Sequence, residues 1–517
     1  KRPSYTLKQA LENPVRDLNR IVLPPASFQH EKDKLERRWP AAVEFVKTNQ
    51  LNEFFGPSEG EVGLILQGGL YNSTMRALQH LGLADVYGNS RIPLYVMNVS
   101  YPLIDDEIIA FAAGKKAVLM VEEGAPEYIE QALHTLMRRR DIQTKVSGKD
   151  LLPMGGEYTT PVLIKGLTGF LEVNAPQLLG NRPPVPDPSA VLSDPKVKAL
   201  AEVVPARPAG FCTGCPERPI FAAMKLVEKE LGPHHVSADI GCHLFSILPP
   251  FNIGGTTMGY GLGPASASAF NVEADKRSIS VMGDGGFWHN GLATSVGNAV
   301  FNKQDGVTII VDNYYASATG GQDVLSSRAD NPNRKTNNSI VKAVKGIGAT
   351  WVKQIDRTYD VAKMRDTLKE ALTTDEKGPK IIVASSECML NKQRRVKPQF
   401  AKAVKDGKRM VKERFGVDED VCTGDHACIR LSGCPSLSVK HTDDPLKDDP
   451  VAAIDNSCVG CGNCGEVSEA AVLCPSFYRA DVIHNPTKTD RFLYRLRSAV
   501  IQWLQKRRNA SRVVFPA

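Results

Sequence analysis

Several features that would assign a chain to a membrane or nucleic-acid-binding class are missing from this sequence. No apolar run approaches the ~20 residues of a membrane-spanning helix, and we expect no signal peptide. A strong excess of one charge is also lacking, because the formal net charge is only +7 over 517 residues. We therefore expect no membrane span and no nucleic-acid partner, whereas a modest positive charge suits anionic cofactors or an acidic redox partner.

The chain also lacks an initial methionine, since it begins at Lys1, and we expect it to be a piece of a longer protein. At roughly 100–200 residues per domain its length predicts three or four domains. Eleven cysteines without a secretion signal indicate metal or cluster ligands rather than disulfides. A reducing compartment, and so a cytoplasmic location, is expected.

The most informative stretch contains two short apolar runs, Ser278–Met282 and Val307–Val311, which predict buried strands. Between them, apolar residues at helical spacing predict a helix over His289–Phe301. Strand, turn, helix and strand make one βαβ unit, whose strand tips lie side by side in a parallel sheet.

A polar side chain follows the tip of each strand. Asp284, within the glycine-rich turn Gly283–Gly286, follows the first strand, and Asn313 lies close behind the second. Ligands of such sheets bind outside the carboxyl ends of the strands, so Asp284 and Asn313 can converge on one cation. The glycines let a diphosphate approach the backbone. This spacing resembles the thiamine diphosphate fingerprint, in which Mg²⁺ bridges protein and diphosphate; an ordinary glycine-rich turn is the alternative.

Composition divides the rest of the chain. Residues 1–60 are predicted to form an N-terminal arm with an amphipathic helix over Glu31–Asn49, and dense prolines in residues 179–207 predict a linker. Alternating predicted strands and helices in residues 61–178 indicate a small parallel α/β domain. The strands are Val62–Leu66, Leu94–Met97 and Ala117–Val121, and the helices are Asn72–Leu81, Asp105–Ala113 and Pro126–Arg139.

After the thiamine unit, residues 208–395, a basic stretch over Lys397–Phe415 predicts a helical connector, residues 396–415. The cysteine-rich part, residues 416–485, follows it. Within residues 486–517, Arg491–Arg508 predicts an amphipathic basic helix that docks onto protein, with membrane-surface binding as the alternative.

Seven cysteines and one aspartate of the cysteine-rich part form two similar runs. The runs are Cys422, Asp425, Cys428, Cys434-Pro435 and Cys458, Cys461, Cys464, Cys474-Pro475. They resemble a two-cluster bacterial ferredoxin, in which the fourth cysteine of each run binds the cluster of the other run. On that interpretation one [4Fe-4S] centre is held by Cys458, Cys461, Cys464 and Cys434, and the second by Cys422, Asp425, Cys428 and Cys474. Zinc is the alternative, although zinc spacing rarely repeats in this way.

Asp425 stands where the second cysteine of its run is expected. Because a carboxylate oxygen is a harder ligand than a thiolate, it should hold iron less firmly, and this centre is expected to convert to [3Fe-4S]. A surface turn residue that binds no iron is the alternative.

Four cysteines remain, and all lie in the thiamine unit: Cys212, Cys215, Cys242 and Cys388. A C-x2-C pair with two distant cysteines makes a complete four-thiolate set, which predicts a third [4Fe-4S] centre beside the thiamine. Four unrelated buried cysteines are the alternative.

The chain combines the thiamine motif and the double ferredoxin run with two short turns, CxGC at Cys212–Cys215 and DIGC at Asp239–Cys242. This combination resembles the 2-oxoacid:ferredoxin oxidoreductases, and among them the indolepyruvate ferredoxin oxidoreductase α-subunit type. The resemblance extends from about residue 15 onward. It implies an α/β chain: a transketolase C-terminal-like domain at 61–178, a thiamine diphosphate-binding parallel-sheet domain at 208–395, and a small α+β two-cluster ferredoxin-like domain at 416–485. The pyrimidine-binding domain of the family is missing, so another chain or a removed segment is expected to carry it.

The resemblance implies thiamine-dependent oxidative decarboxylation of an aryl 2-oxoacid with coenzyme A, with electrons passed through iron–sulfur clusters to ferredoxin or a similar acceptor. It also implies partner subunits with pyrimidine-binding and γ-type domains. The implied thiamine-binding residues are Asp239, Gly241, Gly283, Asp284, Gly285, Gly286, Asn313 and Thr319. Mg²⁺ would be held by Asp284, Asn313 and the Tyr315 carbonyl. His289 is a candidate for handling a proton, with a helix-start hydrogen bond as the alternative.

Two other functions stay open at this point. A non-redox thiamine decarboxylase or synthase is disfavoured by the cysteine sets. An electron-relay subunit with an inactive thiamine fold is disfavoured by the intact Asp284 and Asn313.

Overall fold

The computed structural model describes residues 7–12, 18, 21–180, 193–204, 209–271, 275–328, 332–442 and 449–510. The chain divides into two compact units, Lys1–Ala206 and Arg207–Ala517. Within the described ranges, no helix is both long enough and apolar enough to cross a membrane. The finer domain boundaries predicted above stay predictions.

The first unit is built on a sheet in the order β1-β3-β2-β4-β5. Its strands are β1 (Glu53–Phe55), β2 (Val62–Gln67), β3 (Leu94–Met97), β4 (Ala117–Val121) and β5 (Lys145–Ser147). Strands β2 to β5 pair in parallel, and β1 pairs antiparallel with β3. The helices are Tyr71–His80, Asp105–Ala112, Tyr128–Arg139 and Thr160–Asn174. Since helices cover a parallel sheet on both faces, β3 and β4 are buried along their whole length. The predicted α/β alternation is confirmed.

The helical arm before this sheet differs from its prediction. Helix begins at Ala26 rather than Glu31 and runs to Thr48, with a π-helical segment over Lys34–Arg38. Pro40 lies in the first turn after that segment. Because proline lacks an N–H and its ring clashes with the carbonyl four residues earlier, a widened turn at this point lets the helix continue.

The second unit contains a fully parallel sheet in the order β10-β11-β9-β8-β6-β7. Its strands are β6 (Val236–Ala238), β7 (Thr256–Thr257), β8 (Ile279–Gly283), β9 (Val307–Asp312), β10 (Trp351–Ile355) and β11 (Lys380–Ser385). Alternate residues face two separate cores: Val281 and Ile309 contribute to one, Met282 and Ile310 to the other. The flanking helices include Arg218–Leu231, Gly263–Phe270, Ile340–Gly346 and Val361–Thr373. The predicted parallel-sheet domain is confirmed.

The helix between β8 and β9 starts earlier than predicted. It begins at Asp284, continues as a π-helix over Phe287–Gly297 and ends at Phe301. Apolar periodicity could not indicate its first turn, because Gly285 and Gly286 carry no side chain. Backbone packing explains these glycines: a Cβ on Gly286 would lie 2.9 Å from the backbone nitrogen of Gly261.

The predicted helical connector is wrong in its second half, and the predicted linker is not free of structure. A helix runs over Met389–Lys405 and ends near Gly407, whose φ is +72°. The strand β12 (Met410–Val417) follows and pairs antiparallel with β15 (Phe477–His484). In the linker, Pro195–Val203 is helical, and residues 181–192 and 205–207 lie outside the described residues.

The cysteine-rich part has two antiparallel strand pairs, β12 with β15 and β13 (Leu437–Lys440) with β14 (Val451–Ile454). Its short helices, Ala427–Ser432 and Asn463–Val472, send Leu431 and Val467 into the same core as the thiamine-unit helix Arg218–Leu231. The two parts of the second unit therefore share one hydrophobic core. A final helix, Lys488–Ala510, carries the predicted amphipathic pattern with exposed apolar side chains such as Trp503 and Leu496.

Candidate functional site

A pocket opens at the carboxyl ends of β8 and β9, where the βα turns meet. Its lining includes Gly241, Cys242, Gly283, Asp284, Gly285, Gly286, Asn313, Tyr315 and Thr319. Gly283 pairs with Val311 in the register of the two strands, which places Asp284 and Asn313 at the same edge. The structure thus brings together the residues predicted to bind thiamine diphosphate, with Asp239 as the exception.

Asp284 is 2% exposed, and backbone groups fix its carboxylate. The backbone N–H of Tyr315 donates to Oδ2 at 3.0 Å, and that of Gly285 donates to Oδ1 at 2.7 Å. Burial, with a smaller contribution from Asp312, raises the pKa of Asp284 to about 7. A buried carboxylate with a raised pKa is stabilised by a cation, so this residue fits the role of magnesium ligand.

Asn313 supplies a second oxygen. Its Oδ1 atom is buried without a hydrogen-bond partner, while its Nδ2 lies 3.5 Å from Oε1 of Glu217. Buried polar atoms are rarely left unpaired, so this amide oxygen fits a ligand to a hard cation.

No group of three or more His, Cys, Asp or Glu side chains in the described ranges surrounds a single ion position. Mg²⁺ is usually held by one or two protein carboxylates together with substrate phosphates and water. Asp284, Asn313 and a diphosphate match that pattern. The third predicted ligand, the Tyr315 carbonyl, accepts a hydrogen bond from Ser317 Oγ at 3.1 Å.

Asp239 lies beneath the pocket rather than in its wall. It is fully buried, accepts a hydrogen bond from Gly261 N at 2.8 Å and forms an ion pair with Nε2 of His243. The contacts assign Asp239 to holding the Gly261 turn against the glycine-rich helix start. Its predicted contact with thiamine diphosphate stays a prediction.

His289 is exposed and lies outside the thiamine pocket, in a neighbouring hollow with Tyr260, whose ring centroid is 5.3 Å away. The alternative interpretation, a helix-start hydrogen bond, is wrong because the helix begins at Asp284. A proton-handling role for His289 stays a prediction.

Glu217 is a pocket residue that the sequence analysis missed. It is buried, its Oε2 has no hydrogen-bond partner and lies 4.0 Å from Nδ1 of His243. Burial raises its pKa to about 7. The available signal was an acidic residue directly after the Cys215-Pro216 dipeptide.

These carboxyl groups predict a pH-dependent stability of the cofactor-free protein. The unfolded chain releases the Asp284 proton near pH 4, whereas the folded chain retains it until about pH 7, so stability falls as the pH rises between these values. We expect the thermal midpoint to decrease from about pH 5 to about pH 8, and Asp284→Asn to flatten that decrease. Scanning calorimetry at both pH values measures it; an unchanged slope in Asp284→Asn would contradict the assignment.

The four cysteines of the thiamine unit line one cavity: Cys212, Cys215, Cys242 and Cys388. Glu217, Asn313 and Ser317 also line it, and the same three residues line the thiamine pocket. Burial, followed by Glu217 and Cys388, raises the pKa of the Cys242 thiol above its usual value. Buried thiols of this kind would lose their protons only beside a positive centre, and four of them around one cavity fit the ligand set of an iron–sulfur cluster.

The remaining cysteines are those predicted to form the two crossed sets. The pKa of Cys464 is raised by burial and then by Cys461 and Cys434, and that of Cys428 is raised to about 11 by burial, with Cys422 and Cys474 contributing. Cys434 thus influences Cys464 of the second run, and Cys474 influences Cys428 of the first. The division of these residues into two iron–sulfur sets stays a prediction. All eleven cysteines are free thiols, consistent with a ligand role rather than disulfides.

Both carboxylate oxygens of Asp425 have local partners. Oδ1 accepts from the backbone N–H of Ala427 at 2.7 Å, and Oδ2 accepts from Thr423 Oγ1 at 3.0 Å. These bonds, the backbone bond first, hold the pKa of Asp425 below its ordinary value. The geometry is the one expected of a turn residue at the start of the Ala427–Ser432 helix, which is the alternative interpretation.

Comparisons with known proteins show which sequences this chain resembles. The family model described as "Thiamine pyrophosphate enzyme, C-terminal TPP binding domain" matches residues 239–384. Indolepyruvate oxidoreductase subunit IorA of Thermococcus kodakarensis is 27% identical over 87% of this chain and 66% of its own length. The subunit IorA of Pyrococcus horikoshii is 27% identical over 81% of this chain and 61% of its own length.

The chain spans less than two thirds of the length of these two relatives. A solved structure, 2-oxoglutarate:ferredoxin oxidoreductase from Magnetococcus marinus, covers 51% of this chain and 87% of that chain at 20% identity, with a TM-score of 0.32. A TM-score this low carries no argument about the fold. The curated relatives confirm the predicted resemblance to the indolepyruvate ferredoxin oxidoreductase α-subunit type.

Proposed function

We propose that this chain, a relative of the indolepyruvate oxidoreductase subunit IorA, carries the thiamine and iron–sulfur centres of a 2-oxoacid:ferredoxin oxidoreductase. Its substrate is an aryl 2-oxoacid, of the indolepyruvate or phenylpyruvate type, which it oxidatively decarboxylates with coenzyme A to the aryl-acetyl-CoA. One observation carries the proposal: the thiamine pocket and the four-cysteine cavity share a wall, which is formed by Glu217, Cys242, Asn313 and Ser317. A non-redox thiamine enzyme does not need a cysteine cavity beside its thiamine pocket.

Asp284 and Asn313 would hold Mg²⁺ against a bound diphosphate, and Gly283 leaves room for it, since a Cβ there would meet no atom closer than His243 Cε1 at 3.7 Å. When bound, thiamine diphosphate would supply the electron sink for decarboxylation, and the cysteine sets would hold iron–sulfur centres able to take up single electrons. The buried wall residues orient the cofactor and keep water from its inner face.

The proposal includes partners. Ferredoxin or a similar acceptor takes the electrons from the ferredoxin-like part, and subunits with the pyrimidine-binding and γ-type domains complete the enzyme. Free thiols in a protein of this kind require a reducing compartment, so we place the protein in the cytoplasm.

The test is an anaerobic assay of the chain purified with its partner subunits, supplied with coenzyme A and a viologen acceptor. Phenylpyruvate and indolepyruvate are expected to reduce the viologen at least ~10-fold faster, in kcat/KM, than pyruvate or 2-oxoglutarate, which corresponds to about 1.4 kcal/mol. Release of CO₂ without acceptor reduction would instead support the non-redox decarboxylase. Absence of thiamine diphosphate binding would support an electron-relay subunit.

Asp425 provides a separate prediction. If it binds iron, mild oxidation converts its centre alone to [3Fe-4S], and Asp425→Cys suppresses the conversion, because thiolate holds iron more firmly than carboxylate. Asp425→Asn is the matched control, since an amide oxygen can still accept from Ala427 N. Electron paramagnetic resonance measures the conversion. Equal [3Fe-4S] signals from the parent, Asp425→Cys and Asp425→Asn would mean that Asp425 is only a turn residue.

A further inference from the structure

A buried arginine binds the loop that carries the first cysteine pair. Arg218 is 3% exposed and begins the helix Arg218–Leu231. Its Nε donates to the carbonyl oxygen of Cys212 at 3.0 Å, and its Nη2 donates to that of Phe211. The guanidinium also lies over the Phe211 ring, with its Cζ 5.5 Å from the centroid. The Nε and Nη2 edge of the guanidinium thus binds the cysteine loop of the thiamine unit.

The other edge reaches the cysteine-rich part of the same unit. Nη1 of Arg218 donates to the carbonyl oxygen of Ser432 at 3.3 Å and to that of Gly433, directly before Cys434. Gly433 has a φ of +55°, and a Cβ there would lie 2.8 Å from Cδ of Pro250, so this turn is held closely against the thiamine unit. Only a forked, planar cation has donors on both edges that can join two backbone segments in this way.

The charge of Arg218 has no carboxylate partner among the described residues. Its pKa is lowered by burial, and the groups that raise it are Cys215, Cys434, Cys212 and Cys461. A buried cation held only by carbonyl oxygens is costly unless negative charge lies nearby. The cysteines of two different sets would supply that negative charge if they bound clusters as thiolates.

A second contact fixes the same junction. The hydroxyl of Tyr359 donates to the carbonyl oxygen of Gly214 at 2.6 Å. Gly214 has a φ of +72°, and a Cβ there would lie 2.5 Å from Cγ2 of Val459, between Cys458 and Cys461. The loop of Cys212 and Cys215 therefore touches the loop of the second run. Burial raises the pKa of Tyr359, and Cys461 and Cys215, which belong to these two sets, contribute to the shift.

The geometry points to Arg218 as a positioning residue that sets the spacing of the thiamine-unit cysteines from the Cys434 set. We further infer that its buried charge favours the more negative, reduced state of the groups held at both sets, since net charge and hydrogen bonds tune iron–sulfur potentials. The inference rests on the proposed function, because it requires iron–sulfur centres at these cysteines. It also selects the set of Cys434, Cys458, Cys461 and Cys464, rather than that of Cys422, Cys428 and Cys474, as the neighbour of the thiamine-unit set.

The test compares Arg218→Gln and Arg218→Lys with the parent in the full chain, purified anaerobically, by iron content and by redox titration followed with electron paramagnetic resonance. In Arg218→Gln the potentials of the two neighbouring centres are expected to fall, while that of the Cys422 set stays unchanged. Arg218→Lys keeps the charge and should restore most of the potential. It cannot bridge both segments, so the magnetic interaction between the two centres should weaken in it.

Arg409→Gln is the matched control, because Arg409 is an exposed arginine of the same unit that pairs with Asp490 at 2.8 Å. Solvent and salt screen its charge, so no potential is expected to move. Equal shifts at all three centres, or no shift in Arg218→Gln, would overturn the inference while leaving the proposed function intact. If Arg218→Gln loses iron and Arg218→Lys retains it, the result still supports the inference. If both variants lose all of their iron equally, the inference is overturned. A parent without iron would overturn both proposals.

Discussion

Asp284→Asn is expected to abolish the retention of thiamine diphosphate while the iron content stays at its parent value. Asp284 is buried at the tip of β8, and two backbone N–H groups aim its carboxylate at the pocket. An amide in its place cannot compensate the charge of Mg²⁺, so affinity for the magnesium–thiamine pair should fall at least ~100-fold. Isothermal titration with thiamine diphosphate in excess Mg²⁺ measures the loss.

Asp312→Asn is the control for Asp284→Asn. Asp312 ends the adjacent strand, and burial raises its pKa to about 6, yet it does not line the thiamine pocket. If thiamine retention depends only on the general charge of this edge of the sheet, both variants behave alike. If Asp284 is a ligand, only Asp284→Asn loses the cofactor, and unchanged thiamine content in that variant would remove the assignment.

The second large effect is expected in iron content. Three centres of four irons predict about twelve iron atoms per chain, and Cys212→Ser should reduce the content to about eight. Cys212 is the exposed cysteine of its set, so its replacement leaves the surrounding core unchanged. Iron analysis and electron paramagnetic resonance of the reduced protein measure the loss.

Cys434→Ser provides the comparison for Cys212→Ser, because it removes a ligand of the neighbouring set. It should remove iron as well but abolish a different resonance signal. A parent value near eight that Cys212→Ser does not change would mean that the four cysteines lining the cavity hold no cluster.

Burial patterns made the strands readable in advance. β8 and β9 appear in the sequence as short apolar runs rich in β-branched residues, because a parallel sheet covered on both faces buries every position. The register of two such strands then fixes which residues share an edge, so the meeting of Asp284 and Asn313 was predictable from spacing alone.

The wrong predictions also have physical causes. The helix start at Asp284 was not predicted because the next two residues are glycines, which close backbone packing requires. Without side chains, they add nothing to the periodicity of apolar residues. The strand β12 was read as helix because a basic, alternating stretch beside Gly407 fits either period when it is short.

The contacts of Glu217 and Arg218 cannot be predicted from the neighbouring sequence. Both are charged residues in a cysteine loop, and their roles depend on Asn313, Ser432 and Gly433, which are distant in sequence. Pairings between such distant segments arise only from the fold.

The central claim is that this chain holds thiamine diphosphate and iron–sulfur centres side by side. Native mass spectrometry of the anaerobically purified protein tests it most directly. We predict a mass increment that accounts for one thiamine diphosphate, one Mg²⁺ and about twelve irons with their sulfides per chain. A protein that binds thiamine diphosphate but carries no iron, or one that carries iron but binds no thiamine diphosphate when it is supplied in excess, would contradict the account.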